Sequence, residues 1–369
     1  MNKGIVLGCY EVPGYGGANT VGYRVLDMMQ ERGLEASYIN LIDEYDLEYF
    51  EYVFGPNYGN PKGLPRVYNC VMRAPLFGPQ PELKALLKSL DSGILVGHGF
   101  IAAYALKKAA PRSRVIFRTT GSQQAKEFIA SGKDAMALEE FIRRAQGPPP
   151  CYHRREKQAV ELADYVITHS EMIKSFFNYF FPSQRGKFSP EVIWFAEFIY
   201  RDAAAYSRYQ KPFSERDIDL IFIASDWSRK EKNFPLLEKI VSGLPGANVH
   251  IVGEVPGKKL RATYHGLLTR AEEVFSLLGR SKTLVCPSRF DAAPGVLFEA
   301  SALGCNVVAS KNCGNWQLCA EDLLVQPYTA GAFLDRVRHS LKNKIEDRRD
   351  YFFREDSYQN LVDSISAFE

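Results

Sequence analysis

Asp291 and Glu299 are two carboxylates separated by seven residues, and their surroundings suit the binding of a phosphorylated ligand. Pro294 and Gly295 stand between them, where a helix is predicted to begin. The free N–H groups and the dipole of a helix start favour an anion such as phosphate. A carboxylate beside a phosphate would repel it, so both acids are predicted to bind neutral hydroxyl groups. A nucleoside diphosphate sugar, with a diphosphate between two polyols, fits this pattern.

A strand, a helix and a second strand must position these residues. Short apolar, β-branched runs at 284–286 and 307–309 predict buried strands. Pro294 and Gly304 bound a single helix between them, at 296–303, because Pro suits the first turn and Gly a helix end. Such a unit is typical of a parallel sheet, so an α/β fold is expected.

The stretch 287–309 resembles the nucleotide-sugar signature of glycosyltransferase family 4, a family of retaining enzymes with the GT-B fold. The family motif is an acidic residue, seven intervening residues and Glu, and Asp291 and Glu299 occupy its acidic positions. The resemblance implies two Rossmann-like domains facing each other across a cleft, with a C-terminal helix that returns to the first domain. The matching residues are Pro287, Ser288, Arg289, Phe290, Asp291, Pro294, Gly295, Glu299, Ala300, Ala302, Gly304, Val307, Val308 and Ala309.

The resemblance also implies how the sugar donor is bound. Glu299 would bind the ribose hydroxyls, and Asp291 would bind the hydroxyls of the donor sugar. The backbone of Pro294, Gly295 and Val296 would bind the diphosphate.

A cationic loop after a predicted strand at 219–224 would bind the same diphosphate. Lys232 matches a family Lys, whereas Trp227 stands where the family has Arg, so Arg229 or Lys230 is predicted to supply the second charge. Fixed cations stabilise the charge that develops on a leaving diphosphate, so neither a metal nor a cofactor is expected. Two further substrate-binding candidates are Ser225, in the same loop, and Tyr264, which could stack on the nucleobase.

A glycine-rich loop at 13–17 follows a predicted strand at 5–7 and precedes a predicted helix. Such a loop lets the backbone approach a phosphate closely. It resembles the amino-terminal loop of the family, in which Gly16 and Gly17 would bind the donor diphosphate. A tight turn without a ligand is the alternative.

Two predicted strands, 93–96 and 114–117, end at polar residues, and α/β sheets bind ligands at such strand ends. His98 resembles a histidine common in the family, and a histidine that caps a helix is the alternative. Thr120 stands where many family members have His, so the pattern names no general base. The predicted catalytic residues are Asp291, Lys232, His98 and Thr120, and Arg118 is predicted to bind substrate.

Two stretches bear on the acceptor, which is expected to be a glycan or a lipid-linked sugar. The acidic, aromatic loop 45–69 could stack on sugar or lipid, or its rings could pack the loop onto its own domain. Basic and partly apolar residues at 141–144 and 154–157 flank the proline run 148–150. They indicate either a solvated face or a peripheral contact with anionic lipid.

Length, charge and cysteine content limit the remaining classes. For 369 residues two domains are expected, and the resemblance implies an acceptor domain at 1–200, completed by a helix at 351–369, and a donor domain at 201–350. A net charge of +3 does not indicate a nucleic-acid partner. Without a signal-peptide pattern or an apolar run of about 18 residues, a cytoplasmic protein is expected, with any lipid contact at the inner membrane face. Seven cysteines without CxxC spacing indicate neither a disulfide framework nor a zinc site.

The resemblance, together with these features, implies retaining transfer of a hexosyl group from a UDP-sugar, or next a GDP-sugar, to a glycan or glycolipid hydroxyl, as in polysaccharide biosynthesis. Three alternatives stay open. A non-catalytic relative that binds a nucleotide sugar is favoured by Thr120 and Trp227, and a GT-B epimerase or phosphorylase would use the same fold. A dehydrogenase would hold a ribose through Asp43, but Asn19 interrupts the dinucleotide-binding glycine pattern.

Overall fold

The computed structural model describes most of the chain, and contacts divide the chain into two compact units. The first unit comprises Met1–Gln124, Pro148–Ile193 and Asp356–Glu369, and the second comprises Ala125–Gly147 and Trp194–Glu355. The described residues are 4–10, 17–45, 48, 65–72, 80–130, 151, 153–190, 192, 199, 203–257, 260–268, 270–348 and 363–365.

The first unit is built on one parallel sheet. Its strands are β1 (Gly4–Cys9), β2 (Ala36–Asp43), β3 (Val67–Met72), β4 (Ser92–His98), β5 (Arg114–Arg118) and β6 (Tyr165–Ile167). They lie in the order β3-β2-β1-β4-β5-β6. The helices are α1 (Gly17–Glu31), α2 (Pro81–Ser89), α3 (Phe100–Ala109), α4 (Gln123–Ala130, which continues into the second unit), α5 (Arg154–Leu162) and α6 (Glu171–Phe180).

The second unit repeats this architecture. Its strands are β7 (Ile218–Asp226), β8 (Val249–Glu254), β9 (Thr263–Gly266), β10 (Ser281–Cys286), β11 (Asn306–Ser310) and β12 (Leu324–Val325), and its helices are α7 (Phe234–Ser242), α8 (Ala271–Arg280), α9 (Gly295–Ala302) and α10 (Ala330–Ser340). The strand order is β12-β11-β10-β7-β8-β9. The chain leaves the adjacent strands β7 and β10 toward opposite edges of the sheet, to β8 and β11. Their carboxyl ends therefore mark a topological switch point, where α/β sheets bind ligands.

The predicted α/β class with two Rossmann-like parallel sheets is confirmed. Local signals set several boundaries: Ser170, for example, caps α6 by accepting the backbone N–H of Ile173 at 3.2 Å. Pro294 is the residue before α9 and not part of its first turn, a shift of one residue from the prediction.

Some sequence predictions fall outside the described residues. These are most of the acceptor loop 45–69, the basic stretch 141–144 with its proline run, Gly16, and the predicted helix 351–369 apart from helical residues 363–365. In the part of the chain that is described, no helix has both the length and the apolar character needed to cross a membrane.

Gly97 allows α3 to pack directly on β4. A Cβ atom at this position would lie 2.3 Å from both the backbone nitrogen and the Cα of Ala103, in the first turns of α3. Backbone atoms of a packed helix cannot rotate away as a side chain can, so any larger residue must push the helix off the sheet.

We therefore expect Gly97→Ala to destabilise the first unit by about 3 kcal/mol, the upper range for overpacking a core. Amide hydrogen exchange along β4 would measure the change. Gly186→Ala is the matched control in the same unit, because a Cβ there meets no atom within 4 Å. Equal exchange in the two variants would contradict this account of Gly97.

Candidate functional site

The candidate site lies at the carboxyl ends of β7 and β10, on the two loops that follow these strands. Lys232 ends a 3-10 turn in the loop after β7, and Asp291 lies in the loop after β10. The Lys232 Nζ donates a hydrogen bond to Asp291 Oδ2 at 2.6 Å. The switch point of the sheet thus joins a cation and a carboxylate that stand 59 residues apart in the chain.

The Lys232–Asp291 ion pair is largely shielded from water, with side chains 16% and 17% exposed. Burial, the largest influence, lowers the pKa of Lys232, but Asp291 and then Cys286 outweigh it, so the pKa lies above its ordinary value. The ammonium therefore stays charged at neutral pH. It can offer donors to a second anion, since a lysine ammonium has three.

Backbone hydrogen bonds fix the loop that carries Asp291. The Asp291 N–H donates to the Asn312 carbonyl at 3.0 Å, and the Asp291 carbonyl accepts from the Gly314 N–H at 2.8 Å. The Arg289 N–H donates to the Glu231 carbonyl at 2.8 Å and so links the two loops directly. The Asp291 carboxylate consequently projects from a backbone that is held on both sides.

Arg229, the predicted second cation, lies beside a carboxylate of its own loop. Its Nε and Nη2 both donate to Glu231 Oε1, at 2.9 and 2.6 Å. Burial, the largest influence, raises the pKa of Glu231, but a backbone hydrogen bond and then Arg229 together outweigh it. The pKa of Glu231 therefore lies below its ordinary value, and the carboxylate stays ionised. Much of the charge of Arg229 is thus already balanced within the loop.

Trp227 occupies the place of the family Arg as a core residue. It is 3% exposed, its Nε1–H donates to the Val252 carbonyl at 2.9 Å, and its ring packs against Phe234. The indole therefore anchors the start of the loop to β8 and α7 and cannot bind phosphate there.

The start of α9 presents the predicted diphosphate-binding backbone. Pro294 precedes the helix without a side-chain cap, and its carbonyl accepts from Asn315 Nδ2 at 3.0 Å. Gly295 and Val296 form the first turn, and a Cβ at Gly295 would lie 3.3 Å from Ile199 Cδ1. Glu299 follows in the second turn and is half-buried.

The remaining candidates of the second unit are Ser225, on β7, and Tyr264, on β9. Ser225 is the half-buried penultimate residue of β7. The Tyr264 hydroxyl accepts from the Leu260 N–H at 3.0 Å, and its ring packs on the core of β8 and α7. Among the described residues, no group of three or more His, Cys, Asp or Glu could hold a metal.

In the first unit, the structure pairs His98 with Arg118 at the ends of β4 and β5. Arg118 Nη1 lies 2.8 Å from His98 Nδ1, and both side chains are buried. Guanidinium nitrogens only donate, so Nδ1 accepts and the neutral ring carries its proton on Nε2. Burial and then the Arg118 charge lower the pKa of His98 well below its ordinary value. His98 is therefore suited to donate a hydrogen bond and unsuited to remove a proton.

Thr120 and Gly17 complete the predicted set in the first unit. Thr120 is half-buried next to Gly99, where a Cβ would lie 3.2 Å from its Oγ1. Gly17 is the first residue of α1, while Gly16 is outside the described residues.

Three contacts near these sites have no simple sequence signal. Glu156, from α5, caps α4 by accepting the N–H groups of Gln123 and Gln124 at 3.0 and 2.7 Å. In the second unit, Asn233 and Tyr328 hydrogen-bond at 2.7 Å beside Lys232. Of Asn233 and Tyr328, only Asn233 has a residue type that hints at its position, because Asn is favoured where φ is positive and its φ is 59°.

Comparison with known proteins gives a match to a family model within the second unit and a fold for the whole chain. Residues 218–343, which include Lys232, Asp291 and Glu299, match the family model described as "Glycosyl transferases group 1". No curated protein matches the sequence.

Solved structures resemble this chain over nearly its full length. Sucrose-phosphate synthase from Thermosynechococcus elongatus has a TM-score of 0.68 at 16% identity, covering 99% of this chain and 98% of that chain. The lipopolysaccharide outer core galactosyltransferase WaaB has 0.61 at 14% identity, with 98% and 99% covered. Anabaena HepE, in complex with UDP and glucose, has 0.57 at 13% identity, with 98% and 99% covered. The predicted GT-B fold is confirmed.

The Lys232–Asp291 pair generates a stability prediction. Lys232→Met leaves a shielded carboxylate without its partner and should lower the free energy of unfolding of the second unit by about 2 kcal/mol. Lys232→Met/Asp291→Asn should recover at least half of this loss, because it removes the unpaired charge. Urea unfolding followed by tryptophan fluorescence measures both, since all three tryptophans lie in the second unit.

Arg270→Met is the matched control, because it breaks an exposed pair with Glu273 in the same unit. Its unfolding midpoint should equal that of the parent. A double variant no more stable than Lys232→Met would contradict the assigned role of the buried pair.

Proposed function

We propose that this chain, whose second unit matches the group 1 glycosyltransferases, is a retaining glycosyltransferase. It moves a hexosyl group from a nucleoside diphosphate sugar to an acceptor hydroxyl of a glycan or glycolipid. The observation that carries the proposal is the Lys232–Asp291 pair at the switch point of β7 and β10, inside the matched region. A UDP-sugar is the favoured donor, and a GDP-sugar is next. Two solved structures of HepE, which has this fold, contain UDP with glucose or UDP-glucose, and this supports the order.

Lys232 is the main cation for the donor diphosphate in this proposal. One of its three N–H groups bonds Asp291, and a phosphate oxygen can accept another. Arg229 contributes less, because Glu231 already accepts two of its hydrogen bonds. As the glycosidic bond breaks, the diphosphate gains charge, and a fixed ammonium in a shielded site stabilises that charge strongly.

Asp291 and Glu299 recognise the neutral ends of the donor. Because Lys232 balances the charge of Asp291, this carboxylate can lie close to a diphosphate and still accept hydrogen bonds from the sugar hydroxyls. Glu299, in the second turn of α9, binds the ribose hydroxyls, while the backbone of Pro294, Gly295 and Val296 binds the phosphates.

Retention is proposed to follow a front-face displacement, with the leaving phosphate taking the proton of the acceptor hydroxyl. A double displacement would need a carboxylate nucleophile about 5 Å from a second acid. Asp291 is unsuited to be that nucleophile, because its carboxylate is paired with the Lys232 ammonium. On the acceptor side, Thr120, Arg118 and His98 remain the proposed residues, with His98 as a hydrogen-bond donor.

The cellular setting belongs to the same proposal. A cytoplasmic enzyme that acts on a lipid-linked acceptor would meet it at the inner membrane face. The basic residues at 141–144 and 154–157 would then contact anionic lipid.

A donor panel tests the class of ligand. UDP-linked hexoses should raise the melting temperature of the second unit more than GDP-, TDP- or ADP-linked hexoses. A ligand at one hundred times its dissociation constant stabilises by about 2.7 kcal/mol, which tryptophan fluorescence resolves easily. If no nucleotide sugar raises the melting temperature above that of the ligand-free chain, donor binding is excluded.

Substitution of Lys232 tests the chemistry. Lys232→Ala should lower the rate of sugar transfer about a hundredfold, equivalent to ~3 kcal/mol in the transition state. Lys239→Ala, an exposed lysine on α7, is the control and should transfer at the parent rate. An unchanged rate in Lys232→Ala would refute its role.

The buried Trp227 favours a second candidate, a nucleotide-sugar-binding relative without transfer activity, because it removes one cation from the donor loop. Slow hydrolysis of the donor by the parent chain would exclude this candidate even before the acceptor is identified.

A further inference from the structure

The Tyr328 hydroxyl lies between the two loops of the donor site. It accepts a hydrogen bond from Asn233 Nδ2 at 2.7 Å and donates one to the Pro287 carbonyl at 2.5 Å. Asn233 directly follows Lys232, and Pro287 directly follows β10, four residues before Asp291. A single hydroxyl thus bridges the two backbone segments that carry the halves of the Lys232–Asp291 pair.

Tyr328 reaches this point from the edge of the second sheet. It stands three residues after β12, the edge strand, while Pro287 and Asn233 lie in the segments that follow the central strands β10 and β7. Its ring lies edge-on to Phe333 of α10, with ring centroids 5.8 Å apart. This contact fixes the direction of the hydroxyl, because a tyrosine has few other rotamers available once its ring is packed.

Both partners of the hydroxyl depend on it. Asn233 and Pro287 are buried, and a buried amide or carbonyl without a hydrogen bond is costly. Burial also raises the pKa of Tyr328, so its hydroxyl keeps its proton and can donate to Pro287 at any working pH.

Asn233 converts this bond into control of Lys232. Its backbone is left-handed, with φ 59° and ψ 53°, and it ends the 3-10 turn of Lys232 while starting α7. A small change in its side-chain position therefore turns the backbone directly next to Lys232. Arg289 N–H, bonded to the Glu231 carbonyl, transmits the same constraint from the opposite loop.

We infer that Tyr328 is a positioning residue: through Asn233 and Pro287 it sets the distance between the loops that carry Lys232 and Asp291. The consequence for the donor rests on the proposed function, in which Lys232 meets the diphosphate. Misplacing a catalytic group by about 1 Å can cost up to a hundredfold in rate. Lysine has a flexible stem that can follow the loop, so the expected loss for Tyr328 is nearer tenfold.

Amide hydrogen exchange tests the positioning without any ligand. Tyr328→Phe removes only the hydroxyl, and the amides of Lys232, Asn233 and Arg289 should exchange at least tenfold faster. Ser340→Ala is the matched control, because it also removes a buried hydroxyl, one bonded to Thr283 earlier on β10. It should leave those three amides unchanged. Equal exchange of these amides in Tyr328→Phe and the parent would overturn the inference.

Asn233→Gly tests the same link from the other side, because Gly keeps the left-handed backbone and loses the amide. If Tyr328 acts through Asn233, the double variant Tyr328→Phe/Asn233→Gly should exchange no faster at Lys232 than the faster single variant. Effects that multiply in the double variant would mean independent roles and would also overturn the inference.

Titration with UDP-glucose measures the consequence for the donor. Tyr328→Phe should raise the dissociation constant about tenfold, and Ser340→Ala should leave it unchanged although both lose stability. If Tyr328→Phe binds UDP-glucose as tightly as the parent although its loop amides exchange faster, the step from positioning to donor binding is overturned. A parent chain that binds no nucleotide sugar would refute the proposed function, while hydrogen exchange still decides the role of Tyr328.

Discussion

The proposed donor site depends on one shielded ion pair, in which Lys232 and Asp291 each make the burial of the other tolerable. An ammonium or a carboxylate that is five-sixths buried would be strongly destabilising alone, but together they satisfy each other at 2.6 Å. Their meeting requires β7 and β10 to be neighbours, which the strand order provides. It also requires both loops to hold their shape, which is the task of the contacts around them. The sheet brings the loops together, and the ion pair fixes how far apart they stand.

The surrounding residues limit where positive charge is offered. Trp227 takes the place of a cation and anchors the loop to β8, and Glu231 accepts two hydrogen bonds from Arg229. Lys232 is therefore the cation in this loop that is both shielded and oriented by the opposite loop. The shielded positive charge of this loop therefore lies at one point, which favours a ligand whose anionic part is compact and whose ends are neutral. A diphosphate flanked by a ribose and a sugar has that distribution.

The sequence predicted the elements well because their signals are local. Apolar runs with Pro294 and Gly304 between them define β10, α9 and β11 to within three residues. The Lys232–Asp291 contact was not predictable, because it joins positions 59 residues apart and follows from strand order alone. The pattern gave each of these residues a separate ligand and did not foresee that they bind each other. The role of Tyr328 was still harder to predict, because an aromatic residue after a short edge strand is normally expected to pack in the core.

The protonation state of two buried histidines in the first unit bears on the proposed reaction. Burial and then the charge of Arg118 lower the pKa of His98 and keep it neutral, with Nδ1 occupied and the proton on Nε2. The same two influences, burial and then Arg118, lower the pKa of His169 to about 3. Neither ring is placed to collect a proton from an acceptor hydroxyl at neutral pH. In a retaining reaction of this chain the proton would then go to the oxygen that gains most negative charge, the leaving phosphate beside Lys232. The cation that binds the donor would thereby also set the strength of the base.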